Sequence, residues 1–283
     1  MKDNILFSIL IPTRNRLNLL KRAVNSVIQQ NYKRWELIIS DNCSDENIQA
    51  FIEEIDDNRI RYKRQDRVVS VTDNWNDAND MAHGEYIIML GDDDALVPDA
   101  LERLINVITK YNSLDLIAYA AYIYVQPKVD PQCPQGRLYM AQPFKNEEDK
   151  NYLSMEYRQQ LVSNCCQFNE RFGHNMQYYC YSRVLRDAVC KYGRFYEAPY
   201  PDYYTSCMML LCANTAILIS EVITIIGVTP KSYGYFYVNN IDKEGMKFHE
   251  ESDYRDKAPS CIRGMLCSVD EMDTAAAATY ALL

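Results

Sequence analysis

The sequence lacks several features that mark whole classes of protein. Its longest apolar stretches, residues 116–125 and 207–219, are shorter than the roughly 18 to 20 residues that a membrane-spanning helix needs. Positive charge is also scarce, because 30 basic side chains face 39 acidic ones and give a net charge of -9. A surface that neutralises nucleic-acid phosphates by an excess of basic residues is therefore excluded. We expect no membrane span and no nucleic-acid partner.

Cysteine occurs ten times, but no two cysteines have the Cys-x-x-Cys spacing typical of local zinc sites. A chain of 283 residues builds a large core without disulfides. The apolar residues 5–11 are not followed by the small-residue cleavage site of a signal peptide. We therefore predict reduced, mostly buried thiols in a cytoplasmic protein, with peripheral attachment to the inner face of a membrane left open.

Short apolar runs alternate with segments of helical periodicity over the first 125 residues. The runs at 5–11, 35–40 and 85–90 predict buried strands, and apolar residues at helical spacing within 17–28, 48–55 and 101–108 predict helices. Ser44 is the predicted N-cap of the helix over 48–55. This alternation predicts an α/β fold with a mostly parallel, right-handed sheet and helices on both faces, in the manner of Rossmann-type proteins.

The composition and the periodicity of the sequence change after residue 125. Residues 126–150 contain four of the ten prolines and little periodicity, so they are predicted to form a long loop or lid. Residues 151–271 are expected to form a smaller, mixed half of the same domain, with helices near 152–162, 183–191 and 203–213 and strands at 216–219 and 222–228. Residues 272–283 are interpreted as a tail.

Polar turns follow the predicted strands of the first half. Ligands of such sheets bind outside the carboxyl ends of the strands, where the turns 12–16, 41–45 and 91–94 are expected to converge. Asp92, Asp93 and Asp94 are consecutive, and their mutual repulsion destabilises the fold unless a cation compensates it. Oxygen ligands favour Mg²⁺ or Mn²⁺. The competing interpretation is a solvated loop whose acids cap the helix after Pro98.

Three segments resemble the motifs of one known family. They read SILIPTRNR at residues 8–16, IISDNCSD at 38–45 and AHGEYI at 82–87, the last followed by the acidic run and by Pro98. In this order and spacing, the chain resembles the family 2 glycosyltransferases of the GT-A fold over residues 5 to 110. The second half matches that family only in pieces.

The resemblance implies transfer of a single sugar from a nucleotide diphosphate sugar to an acceptor hydroxyl, usually with inversion and with Mn²⁺ or Mg²⁺ as cofactor. The acceptor would be a saccharide, a lipid-linked sugar or another hydroxyl compound in cell-surface polysaccharide or glycoconjugate synthesis. By the family pattern, the first half, residues 1–125, binds the nucleotide sugar and residues 151–271 bind the acceptor. Pro12, Thr13 and Arg16 would line the nucleotide pocket, and Asp41 would receive a hydrogen bond from the base, unless Asp41 only stabilises its own turn.

The acidic run departs from the family pattern, in which an acid stands seven residues before the proline, because Gly91 occupies that position here. If that frame holds, Asp93 is the metal ligand and Asp92 or Asp94 contacts the ribose or orients water. If the motif is instead Asp92 to Asp94, then Asp94 binds the metal. The two alternatives remain open.

An inverting transfer also needs a general base near the acceptor hydroxyl. The resemblance points to Asp202, where a carboxylate opens a helix beneath the acceptor, and Glu197 is the reserve. The competing interpretation is that Asp202 is only a helix N-cap. His249 would be a further metal ligand, as in some relatives, although a single histidine among acidic residues is more often merely exposed.

Two other functions compete with this interpretation. A sugar-nucleotide pyrophosphorylase needs a glycine-rich phosphate loop after its first strand, and residues 12–16 contain no glycine. A transferase-like protein that binds nucleotides without turnover would be compatible with Gly91 in place of an acid. The Gln-x-x-Arg-Trp sequence of processive relatives is absent, which favours the addition of a single sugar.

Overall fold

The computed structural model describes residues 4–145, 151–167, 173–197, 201–232 and 235. The predicted tail 272–283, most of the predicted acceptor half beyond residue 232, and His249 lie outside these ranges.

The described residues form nine strands and seven α-helices. In chain order these are β1 (Phe7–Thr13), α1 (Leu17–Ile28), β2 (Trp35–Asp41), α2 (Ile48–Ile55), β3 (Ile60–Arg64), α3 (Val71–Asp80), β4 (Tyr86–Met89), β5 (Ala95–Leu96), α4 (Ala100–Tyr111), β6 (Leu116–Val125), β7 (Arg137–Ala141), α5 (Met155–Cys166), β8 (Tyr179–Ser182), α6 (Arg183–Val189), α7 (Pro201–Cys212) and β9 (Ala216–Val228). A 3₁₀ turn over Met176–Tyr178 precedes β8.

The strands join into one sheet of order β3-β2-β1-β4-β8-β6-β9-β5, with β7 paired to β6. Strands β1 to β4 are parallel to one another, and β6 and β9 form a second parallel pair. Because β8 is antiparallel to both β4 and β6, the two parallel groups point the same way. The predicted α/β fold with a mostly parallel sheet is confirmed, and six strands end at one edge of the sheet, which we call the rim.

The sheet is buried on both faces, and its central strands are mostly apolar. Successive side chains of a strand point to opposite faces, so Leu10 and Ile38 pack in one core with α5, α6 and α7, whereas Ile9 and Leu37 pack in the other with α1 and α4. All of β1, β2 and β4 except Pro12 is buried. This two-sided burial explains why these strands read as continuous apolar runs rather than as alternating ones.

Several boundaries differ from the sequence predictions. The strands predicted at 216–219 and 222–228 form the single strand β9, and a register shift opposite β6 accommodates the exposed Ser220 and Glu221 between them. Residues 126–150 contain β7, a strand that the proline-rich sequence did not indicate. Asn47, rather than Ser44, caps α2 by accepting a hydrogen bond from Ala50 N at 3.1 Å.

None of the helices in the described part of the chain combines the length and the apolar character that a membrane crossing demands.

Arg158 ties α5 to the end of α7. This residue is 2% exposed, and its guanidinium donates hydrogen bonds to the carbonyl oxygens of Leu153 at 3.1 Å, Leu210 at 2.6 Å and Ala213 at 2.7 Å. The last carbonyls of a helix have no partner within the helix, so Arg158 satisfies buried acceptors at the carboxyl end of α7.

Substitution of Arg158 by Met should lower the free energy of unfolding by about 2 kcal/mol or more, since it leaves buried carbonyl oxygens without donors. Denaturant unfolding followed by circular dichroism measures this change. Arg183→Met is the control, because Arg183 is exposed and such substitutions usually change stability by no more than about 0.5 kcal/mol. Equal losses in the two variants would contradict this role for Arg158.

Candidate active site

Side chains from the ends of β1 and β4 meet at the rim. Thr13 Oγ1 donates a hydrogen bond of 2.8 Å to Asp92 Oδ2, and Arg16 Nη1 lies 2.9 Å from Asp92 Oδ1. The same guanidinium nitrogen is 3.8 Å from Asp93 Oδ2. The structure thus brings together three of the predicted nucleotide-site residues, and it places Pro12, half-buried, beside them at the end of β1.

The acidic loop, residues 91–94, is docked on the end of β9. Both oxygens of Asp94 accept backbone hydrogen bonds, from Gly91 N at 2.7 Å and from Gly227 N at 2.8 Å. Asp93 Oδ2 instead accepts hydrogen bonds from the hydroxyls of Thr229, at 3.2 Å, and Ser232. Asp94 therefore holds the loop in place, whereas Asp93 remains at the rim.

Burial and mutual repulsion perturb the charged groups of this site. Burial raises the pKa of Asp92 to about 6, although Arg16 favours the ionised form. Burial, followed by the charge of Asp93, raises the pKa of Asp94 well above its usual range. Burial opposes the charge of Arg16, but the neighbouring carboxylates outweigh it and raise the Arg16 pKa. The single positive charge of Arg16 compensates only part of the negative charge of the three carboxylates.

Gly91 stands where the family pattern has its first acid, and a side chain at this position would displace the Asp94 carboxylate. A Cβ atom at this position would overlap Asp94 Oδ2 and would lie 3.2 Å from Asp93 Oδ1. Glycine therefore occupies the position of the first acid, and the buried Asp94 carboxylate lies beside it. This geometry favours Asp93 over Asp94 as the metal ligand.

The donor set at Asp93 fits a hard cation. Magnesium sites commonly use one or two protein carboxylates, with water and substrate phosphates in the other positions. Asp93 Oδ1 faces the space beside Gly91, and its Oδ2 is shared with hydroxyl oxygens. Asp92 and Asp94 already use both of their oxygens within the protein.

Asp41 ends β2 at the rim, but its carboxylate is fully buried. Its Oδ1 accepts a hydrogen bond from Ser44 N at 2.9 Å, its Oδ2 accepts one from the Tyr62 hydroxyl at 2.6 Å, and Arg64 Nε lies 3.9 Å away. The carboxylate stabilises its own turn, as the competing interpretation predicts, and contact with a nucleotide base stays a prediction.

Asp202 lies in the first turn of α7 rather than ahead of the helix. Its Oδ1 accepts a hydrogen bond from Tyr203 N at 3.0 Å. Burial raises the Asp202 pKa, while the nearby His174 has the opposite effect. Among the described residues, Asp202 is not part of the hydrogen-bonded network around the acidic loop.

Glu197 precedes α7 in a segment anchored near the rim. Its Oε1 accepts a hydrogen bond from Arg194 N at 2.9 Å, and Arg194 Nη1 lies 2.6 Å from Asp73 in the first turn of α3. Since α3 follows the rim end of β3, this contact locates the segment near the same edge of the sheet. Helix α7 ends three residues before β9, which runs toward the rim, so the first turn of α7 points back to that edge.

The sequence did not indicate that the turn after β9 contributes residues to this site. Thr229 and Ser232 bind Asp93, the Lys231 carbonyl accepts a hydrogen bond from Arg16, and Lys231 Nζ donates one of 2.8 Å to Asn15 O. The available signal was the polar turn Thr-Pro-Lys-Ser after an apolar strand. Its significance depends on knowing that β9 runs parallel to β1.

Comparisons with known proteins identify related sequences and a related fold. Residues 8–169 match the family model described as Glycosyl transferase family 2. Over 102 residues, the chain is 36% identical to the GalNAc(5)-diNAcBac-PP-undecaprenol beta-1,3-glucosyltransferase of Campylobacter jejuni, which covers 35% of this chain and 33% of that protein. It is 30% identical over 110 residues to the UDP-Glc:alpha-D-GlcNAc-diphosphoundecaprenol beta-1,3-glucosyltransferase WfgD of Escherichia coli, covering 39% and 44% of the two chains. The matches thus span less than half the length of these relatives.

Among solved structures, the S. aureus TarS fragment 1-349 in complex with UDP-GlcNAc superposes with a TM-score of 0.60. The match covers 95% of this chain and 78% of the fragment at 13% sequence identity. At this identity the likeness concerns the fold alone.

Substitution of Gly227 by Ala should disrupt the docking of the acidic loop, because a Cβ atom at Gly227 would overlap the backbone carbonyl of Asp93. We expect the free energy of unfolding to fall by about 2 kcal/mol or more, as forced overpacking of a rigid site does. The control is Gly193→Ala, where the nearest atom is Glu197 Oε1 at 3.1 Å, the end of a flexible side chain. A loss in Gly193→Ala as large as that in Gly227→Ala would refute the docking argument.

Proposed function

The chain belongs to glycosyl transferase family 2, and we propose that it transfers a single sugar, with inversion, from a nucleotide diphosphate sugar to an acceptor hydroxyl. The observation that carries this proposal is the meeting of Thr13, Arg16, Asp92 and Asp93 at the carboxyl ends of β1 and β4. Parallel α/β sheets bind their ligands at this edge. Inversion, the identity of the donor and the nature of the acceptor are parts of the proposal.

Binding of the donor diphosphate is assigned to the acidic loop and to the β1 turn. Family 2 enzymes of the GT-A fold typically use a divalent cation, and Asp93 would hold Mn²⁺ or Mg²⁺ here. Such a cation, when bound, stabilises the negative charge that develops on the departing nucleoside diphosphate. Arg16 holds Asp92 in place and provides positive charge at the same edge. Pro12, Thr13 and Asp41 are proposed to line the nucleoside pocket.

Proton transfer from the acceptor is assigned to Asp202. A general base must be ionised and yet basic enough to accept a proton, and burial raises the Asp202 pKa in the required direction. Its place in the first turn of α7, directed to the rim, is compatible with an acceptor bound opposite the leaving group. Glu197 is the alternative base on the adjoining segment.

The relatives guide the choice of substrates. WfgD is described as using UDP-Glc and a diphosphoundecaprenol-linked acceptor, and the Campylobacter jejuni enzyme also has an undecaprenol-linked acceptor. We therefore propose a UDP-hexose donor and a saccharide linked to a lipid diphosphate as acceptor, in cell-surface polysaccharide or glycoconjugate synthesis. Such an acceptor implies work at the cytoplasmic face of a membrane.

The purified protein should release UDP from a UDP-hexose only when Mn²⁺ or Mg²⁺ and a lipid-linked saccharide acceptor are present. Asp93→Asn should reduce turnover by at least 10²-fold and abolish the metal-dependent increase in melting temperature caused by UDP, because it weakens metal-assisted binding of the diphosphate. Asp187→Asn is the control, since Asp187 is exposed on α6. Metal-dependent stabilisation by UDP without transfer to any acceptor would support a nucleotide-binding protein without turnover. Unchanged metal dependence in Asp93→Asn would reject the assigned ligand.

Asp202→Asn should reduce turnover by roughly 10²-fold or more, because the amide cannot accept the proton of the acceptor hydroxyl. Donor binding, measured by the thermal shift with UDP and Mn²⁺, should stay at the parental value. Stability should stay near the parental value, because the Asn amide oxygen can still accept the hydrogen bond from Tyr203 N. Glu197→Gln is the matched variant. If Asp202→Asn retains parental turnover and Glu197→Gln does not, Glu197 is the base.

A further inference from the structure

A second cluster of reactive side chains is formed by residues outside the acidic loop. Cys165 of α5, Cys207 of α7 and His174, which precedes the 3₁₀ turn, place two sulfur atoms and one ring nitrogen within 4.8 Å of one another. Cys165 Sγ and His174 Nε2 are 3.3 Å apart. The three residues are 6%, 1% and 4% exposed, respectively. No local spacing of cysteine and histidine in the sequence predicts this cluster, because its residues come from three separate segments of the chain.

Ser206 lies beside the second ring nitrogen of His174. Ser206 Oγ is 2.8 Å from His174 Nδ1 and 3.1 Å from the Tyr203 carbonyl oxygen. In the tautomer that carries its proton on Nδ1 and donates it to Ser206, His174 Nε2 presents its lone pair to Cys165 Sγ, 3.3 Å away. Histidine ligands of metals almost always have this arrangement, with the second ring nitrogen donating to a neighbouring oxygen.

The separations suit a tetrahedral zinc ion. Zinc binds thiolate sulfur at about 2.3 Å and imidazole nitrogen at about 2.0 to 2.1 Å, which places the ligand atoms of a tetrahedron about 3.5 to 3.8 Å from one another. The observed separations, 3.3 Å and at most 4.8 Å, bracket these values. Thiolate and imidazole ligands also select zinc over magnesium or calcium.

We propose that Cys165, His174 and Cys207 bind one Zn²⁺ ion that fastens the first two turns of α7 to α5. Binding displaces the two thiol protons, and a water molecule completes the tetrahedron. His174 also stacks on Tyr203, with ring centroids 3.9 Å apart, and Tyr203 directly follows Asp202. The ion would thus fix the helix turn that carries the proposed base, although the proposal does not depend on catalysis.

Metal analysis of the full chain, purified without chelators and dialysed against Zn²⁺, should find one tightly bound zinc per molecule. Replacement by Co²⁺ should produce the near-ultraviolet absorption of thiolate-to-cobalt charge transfer, which metal bound at the carboxylates of the acidic loop cannot produce. Cys165→Ser and Cys207→Ser should each lose this absorption, whereas Cys190→Ser, which alters an exposed cysteine, should retain it. Ser206→Ala should keep all three ligands but bind the metal about 10- to 100-fold more weakly.

Two results would overturn the proposal. One is wild-type protein that shows no charge-transfer absorption with Co²⁺ and no tightly bound zinc, including protein in which peptide mapping finds a disulfide between Cys165 and Cys207. The other is absorption that persists in folded Cys165→Ser, which assigns the metal to other thiols. Circular dichroism of each variant confirms folding, and if Cys207→Ser does not fold, Cys165→Ser and Ser206→Ala test the site on their own.

Discussion

The geometry of the rim depends on the two backbone hydrogen bonds accepted by Asp94. These bonds join Gly91, at the end of β4, to Gly227, 136 positions later in β9. A carboxylate that accepts two backbone N–H groups is a strong, directional link, and here it depends on Gly227, where a Cβ atom would overlap the backbone carbonyl of Asp93. The position of Asp93 follows from this link, since its neighbours Thr229 and Ser232 belong to the strand end that Asp94 holds.

The same loop explains the electrostatic character of the site. Asp94 is needed for the link but lies buried beside Asp92 and Asp93. Burial first, and the charge of Asp93 second, raises the pKa values of Asp92 and Asp94. Arg16 compensates part of this charge through Asp92. The remaining charge faces the rim, where it favours a divalent cation and the phosphates that accompany it. The same loop therefore joins β4 to β9 through Asp94 and carries the negative charge that a cation would bind.

Much of the first half could be predicted from the sequence, because β1, β2 and β4 contain short apolar runs and the intervening helices keep one apolar face. Thr13, Arg16 and Asp92 were also predictable as neighbours, since parallel strands end at one edge. The role of Gly227 was not, because nothing local marks the close approach of a loop 133 positions away. The same holds for β8, four residues long and inserted antiparallel between β4 and β6. Its place is decided by long-range pairing rather than by periodicity.

Helix α7 carries both the proposed base and part of the cluster around His174. Asp202 lies in its first turn, Ser206 and Cys207 lie in its second, and Arg158 satisfies carbonyls at its far end. Its sequence has little amphipathic character because it is enclosed on several sides, and so its periodicity could not indicate which residues face one another. A base must be held in one orientation if it is to receive a proton efficiently. A helix that is fixed at both ends by buried polar contacts meets that requirement. The cluster around His174, one turn behind Asp202, contributes these contacts at the first end and Arg158 contributes them at the other.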